Sequence, residues 1–286
     1  MAWFIAGQHP VLWYTRQGPT LAPAVLLLHG FAGSHHSWDA IRSRLAPAWH
    51  VIVPDLAGHG RTGLAAGPDH LALPQAADDL AALMAAGDHS RYVVIGYSLG
   101  ARLALHLALR HGPQVSALVL ESGSPGLADD DARRTRRDRD NLLARQIESR
   151  GMTWFASYWD KLPLFASRQG LPEPIRRREE TIRRFHSPSA LAASLRYAGT
   201  GAQRSLWEDL GQLTMPVLIL TGQLDRKFCE IGRLMTANIP GALHQVVAGS
   251  GHSVHLENPA GFIQAVVPFI TSDKPTKEVT HVKSAD

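Results

Sequence analysis

Short, unbroken apolar runs recur along the chain, each closed by turn residues: Ala-Val-Leu-Leu-Leu at 24–28, and further runs at 50–53, 92–95, 115–120 and 217–220. Hydrophobicity that is continuous rather than alternating belongs to strands buried on both faces, hence to a parallel sheet covered by helices. Between and after these runs the apolar period becomes helical, over 36–46, 74–87, 98–111, 226–238 and 258–270. Strand and helix in turn predict an α/β fold with a doubly wound, mostly parallel sheet. The segment 11–15, Val-Leu-Trp-Tyr-Thr, reads as an antiparallel strand at the edge of that sheet.

The alternation breaks between 125 and 205. That stretch is rich in Arg, Trp and Leu at helical spacing, and Pro172-Glu173-Pro174 and Ser187-Pro188-Ser189 mark helix starts within it. The expected organisation is a core in two parts, 1–124 and 206–270, with a helical cap at 125–205 inserted between two core strands. A polar, Lys-rich tail at 271–286 lacks periodicity and is expected to be disordered.

Composition narrows the class of protein. With 286 residues, 45% of them apolar and 19% charged, the chain suits one large globular domain. The single cysteine, Cys229, excludes an internal disulfide and a thiolate metal cluster, which fits a reducing cytosol. The N-terminus has neither the basic region nor the apolar length of a signal peptide, and no stretch reaches the length of a membrane span. A soluble, cytoplasmic monomer without metal or cofactor is expected. The net charge of +4 resides largely in arginine clusters around Arg133–Arg139 and Arg176–Arg184, interleaved with acids. No nucleic-acid-binding motif accompanies them, so a small anionic ligand is the better reading than nucleic acid or a membrane surface.

The chemistry centres on Gly96-Tyr97-Ser98-Leu99-Gly100, which joins the run at 92–95 to the helical pattern at 98–111. Ser flanked by Gly at i−2 and i+2, between strand and helix, is a nucleophile elbow. Side chains at the two glycines would collide with backbone, and the turn lifts the hydroxyl towards the helix's positive end. Such a serine needs an imidazole to take its proton and a carboxylate to orient the imidazole. Asp225 follows the run at 217–220, and His252 sits in Gly249-Ser250-Gly251-His252, so the order Ser98, Asp225, His252 matches that expected of this elbow. The alternative for Asp225 is that it serves only as the N-cap of the helix at 226–238. Asp209, which precedes its strand, and His255 are the weaker candidates. The backbone N–H groups of Leu99 and Phe31 are the natural pair for an oxyanion site. His29 reads as a structural hydrogen-bonder, and the Gly-rich run Asp55–Thr62 as loop architecture, since it lacks the Lys-Ser/Thr of a P-loop.

Several further segments are similar to a particular family. They are Glu121-Ser122-Gly123-Ser124-Pro125-Gly126-Leu127, the Arg-rich stretch to Asp140, the cap segment Phe155–Phe165, Gly199-Thr200-Gly201-Ala202-Gln203, Gly222–Phe228 and His252–Pro259. Together they resemble the 2-succinyl-6-hydroxy-2,4-cyclohexadiene-1-carboxylate (SHCHC) synthases of menaquinone biosynthesis, over about residues 24 to 270. The resemblance implies an α/β-hydrolase fold and a lyase that eliminates pyruvate from a carboxylated cyclohexene. It also implies that the triad serine acts as a base rather than as an acyl acceptor. By motif, the substrate-binding residues it implies are Tyr97, Arg102, Arg136, Trp159 and Arg183. Arginine suits a polycarboxylate, because its planar fork grips carboxylates bidentately. The alternative is a hydrolase of the same fold, acting through an acyl-enzyme on a carboxylated ester or a carbon–carbon bond.

Overall fold

The computed structural model describes residues 1–6 and 9–272; the polar tail beyond Ser272 lies outside the described residues. Among the described residues eight strands form one sheet: β1 (Ala2–Ala6), β2 (His9–Gln17), β3 (Ala24–Leu28), β4 (His50–Pro54), β5 (Tyr92–Tyr97), β6 (Val115–Glu121), β7 (Val217–Gly222) and β8 (Leu243–Val247). Their order is β1-β2-β4-β3-β5-β6-β7-β8; β2 runs antiparallel to both its neighbours, β1 and β4, and the other pairs are parallel. The strand at 11–15 is therefore antiparallel but is not the edge: β1 pairs outside it, Trp3 opposite Trp13. Trp3 and Ile5 of β1 are exposed, so no buried apolar run announces this strand.

The continuous runs serve two cores at once, because successive side chains in a strand point to opposite faces. Leu26, Leu28 and Val94 pack against one layer of helices, α2 (Leu73–Ala86), α3 (Leu99–Arg110) and α7 (Arg226–Asn238). Val25, Leu27, Val93 and Ile95 pack on the other, formed by α1 (Asp39–Leu45), α8 (Val254–Glu257) and α9 (Pro259–Thr271).

Between β6 and β7 the chain forms α4 (Asp130–Asp160), a 3-10 segment (Pro163–Gly170), α5 (Glu173–Arg184) and α6 (Pro188–Ala198). Asp129 caps α4 by accepting from the Ala132 N–H at 2.7 Å. At Gly151 the backbone takes φ 75°, which breaks α4 into two helices across a kink. Ala144, Ile147, Phe155, Leu191 and Leu195 make a separate core for these helices, and Ala32 and Phe31 from the loop after β3 pack into it. His186, between α5 and α6, ties the same loop down: it accepts from Gly60 N–H at 2.9 Å and donates to the Ala32 carbonyl at 3.0 Å. The helical insertion is thus seated on the loop that carries Phe31.

Candidate active site

Ser98 stands between β5 and α3 with φ 53°, a left-handed conformation that costs a non-glycine residue of order 1–3 kcal/mol. The flanking glycines make the turn possible. A Cβ on Gly96 would lie 2.3 Å from the Gly100 carbonyl oxygen, and one on Gly100 only 2.1 Å from that of Leu28. Above the turn, His252 Nε2 lies 3.1 Å from Ser98 Oγ, and His252 Nδ1 lies 2.6 Å from Asp225 Oδ2. Asp225 also caps α7, accepting from Phe228 N–H at 3.3 Å. The capping and orienting roles therefore coexist, one on each carboxylate oxygen. His252 is 1% exposed and is surrounded by the rings of Phe228, Phe165 and Tyr97. Burial pushes its pKa below the ordinary value, while Asp225 opposes the shift, so the imidazole is neutral at pH 7 and ready to accept a proton.

Ser98 and His252 open on a cavity of about 350 Å³. Phe31 and Leu99 line it; Leu99 begins α3, so its N–H has no partner within the helix. Among the described residues four cations line the same cavity, Arg102, Arg136, Arg168 and Lys227, and no carboxylate does. Arg102 lies one turn beyond Ser98 on α3, is 8% exposed, and donates to Gln203 Oε1 at 3.0 Å. It has no ion pair among the described residues. Burial first, and Arg136 second, lower its pKa to about 10, which leaves it charged at neutral pH. Arg136 donates through Nε to Asp140 at 2.8 Å and lines the cavity. Trp159 forms an aromatic wall with Phe31 and Phe165. Tyr97 joins from the other side, its hydroxyl 2.7 Å from Ser253 Oγ and its pKa pushed up to about 12 by burial.

Comparison with known proteins places this arrangement. The model of the alpha/beta hydrolase fold family matches residues 23–259. A Bacillus subtilis protein provisionally named SHCHC synthase is 39% identical, over 90% of this chain and 93% of its own. The SHCHC synthase of Salmonella agona is 31% identical, over 87% of this chain and 94% of its own. The chain belongs to the SHCHC synthase family. The solved structure of MenH from S. aureus superposes with a TM-score of 0.83 at 29% identity, covering 90% of this chain and 97% of that one.

Not every residue that the synthase family's motifs single out reaches the cavity. Arg183 is 4% exposed, but its guanidinium pairs with Asp160 at 2.6 Å and lies near Glu179 at 3.8 Å, and it does not line the Ser98 cavity. It faces a neighbouring groove beneath α5. Asp209 pairs with Arg204 at 2.6 Å, and His255 with Glu121 at 2.8 Å, so neither enters the hydrogen-bonded chain from Ser98. His29 is buried, donates to the Gly30 carbonyl and accepts from Leu56 N–H. Its pKa is lowered to about 4 by burial. Asp55 holds the Gly-rich loop by accepting from His35 and from the Arg61 N–H. Two cavity cations have no counterpart in the sequence reading. Lys227 follows the Asp225 cap on the first turn of α7, and Arg168 lies in the irregular 3-10 segment, where no periodicity marks which way a side chain points.

Proposed function

We propose that this chain is a carbon–oxygen lyase that releases pyruvate from 2-succinyl-5-enolpyruvyl-6-hydroxy-3-cyclohexene-1-carboxylate to give SHCHC. The observation that carries the reading is the charge of the cavity: four cations, no carboxylate, and in Arg102 a buried guanidinium without an ion pair. An apolar ester would leave the buried Arg102 charge desolvated and unmatched, at a cost of several kcal/mol. A substrate with several carboxylates matches the four cations.

In this reading Ser98 is the base. His252 draws the hydroxyl proton as Ser98 Oγ takes the ring proton beside the succinyl ketone, and Asp225 stabilises the imidazolium that results. Negative charge appears on the ketone oxygen, where the N–H groups of Leu99 and Phe31 receive it. The ring double bond shifts, the bond from ring carbon to the enolpyruvyl oxygen breaks, and the expelled enolate takes a proton to become pyruvate. Arg102, Arg136, Tyr97 and Trp159 hold the substrate in place. No acyl-enzyme is formed, and the released proton returns through His252.

The test measures pyruvate release with the enolpyruvyl substrate. Wild type should release it and Ser98→Ala should lose at least about 1000-fold, the scale on which removing a member of such a triad acts. Undiminished release by Ser98→Ala would sink the mechanism. A stoichiometric burst with an activated carboxylated ester, without pyruvate release, would establish the hydrolase reading instead.

A further inference from the structure

Arg168 stands apart from the other cavity cations. Its guanidinium lies over the Phe165 ring at 4.1 Å, and it makes no ion pair among the described residues. Nε donates to Ser253 Oγ at 3.0 Å, and one terminal nitrogen donates to Tyr97 Oη at 2.9 Å and to Ser253 Oγ. Counting protons shows what this cluster lacks. The two hydroxyls both accept from Arg168, and one of them donates to the other. One hydroxyl proton and the second terminal nitrogen of Arg168 are then left as donors. The nearby acids are occupied, since Glu121 holds His255 and Glu257 accepts the N–H groups of Gly251 and Ser253. The cluster therefore offers a planar, charged set of surplus donors, which is the complement of one carboxylate.

Position indicates which carboxylate. Arg102 and Arg136 repel each other and form one cationic pole. Arg168 instead acts on His252 and Tyr97, so it forms a second pole beside the base. It also lines the groove beneath α5, of about 490 Å³, where Lys161, Arg176, Arg177 and Arg183 alternate with Asp160, Glu173, Glu179 and Glu180. Arg168 is thus the cation shared by the reaction cavity and the neighbouring groove, at the passage between them.

We propose that Arg168, with the hydroxyls of Tyr97 and Ser253, is the subsite for the carboxylate of the α-keto acid leaving group. The assignment of the fragment rests on the elimination proposed above; the binding of a small α-keto carboxylate does not. Calorimetric titration of pyruvate needs no turnover. Wild type should bind it, Arg168→Gln should weaken binding at least tenfold, and Arg168→Lys should fall between, since ammonium keeps the charge but loses the fork. A parallel assay follows SHCHC formation by its diene absorbance. There, Arg168→Gln should raise the pyruvate inhibition constant at least tenfold and that of added SHCHC less than threefold. A variant that merely loosened the fold would raise both alike and lower the melting temperature, and that result overturns the subsite. So does pyruvate binding that is undetectable in wild type or equal in Arg168→Gln. Pyruvate binding that depends on Arg168 in a protein forming no SHCHC would sustain the subsite and refute the elimination.

Discussion

Ser98 is held at φ 53° by two glycines that cannot be replaced without meeting backbone, and the imidazole above it is almost wholly buried. Both features bear on how activity depends on pH. In the proposed elimination His252 can take the Ser98 proton only when neutral, and burial lowers its pKa from the ordinary 6.5. The acid limb of kcat/KM should therefore lie below pH 6.5, with activity lost only as His252 protonates. An acid limb above that value, in a pH series on wild type, would contradict the assignment. Arg102 gives a second prediction at this scale. Arg102→Met keeps the bulk of the side chain and removes its charge-assisted hydrogen bonds, each worth about 1.5–3 kcal/mol. In steady-state kinetics kcat/KM should fall about 10- to 100-fold, with little change in melting cooperativity. The juxtaposition of Ser98, His252 and Asp225 was readable in the sequence because a tight turn demands specific residues at specific offsets. Arg168 was not, because a 3-10 segment imposes no such demand and its meaning lies in Tyr97 and Ser253, residues distant in sequence.

Among the elements, the parallel strands were the most legible, since β3, β5 and β7 are buried on both faces and show it as unbroken apolar runs. β1 escaped for the opposite reason: its tryptophan and isoleucine face outward at the sheet's edge. Arg183 illustrates the limit for helices. Spacing places it on α5, but its direction is decided by Asp160 at the end of α4. The helices between β6 and β7 have their own apolar centre, with Phe155 fully buried in it. Phe155→Ala should destabilise by about 3–5 kcal/mol, read as a lower urea midpoint. Because Phe31 packs against the Phe155 ring, the same variant should also lower kcat, through the loop that supplies the Phe31 N–H.

Across the whole molecule, the sheet and the segment bearing His252 are joined by a buried contact. Glu121 at the end of β6 accepts from both the ring and the backbone N–H of His255 at the start of α8. Glu121→Ala would strand a buried imidazole and an amide, at a cost of about 3 kcal/mol or more. It should appear as a lower denaturation midpoint, together with reduced turnover, because His252 lies three residues before His255.

The cavity that gathers Arg102, Arg136, Arg168 and Lys227 without a carboxylate has a thermodynamic consequence beyond catalysis. Mutual repulsion among these groups opposes folding, and any polyanion that neutralises them binds the native chain in preference to the unfolded one. A polycarboxylate at 100 times its dissociation constant should therefore add about 2.7 kcal/mol to the stability of the native state. In thermal-shift measurements Arg102→Met should melt higher than wild type when no anion is added, and should respond less when one is. The cations that line the cavity thus make folding itself a report on how much polyanion is present.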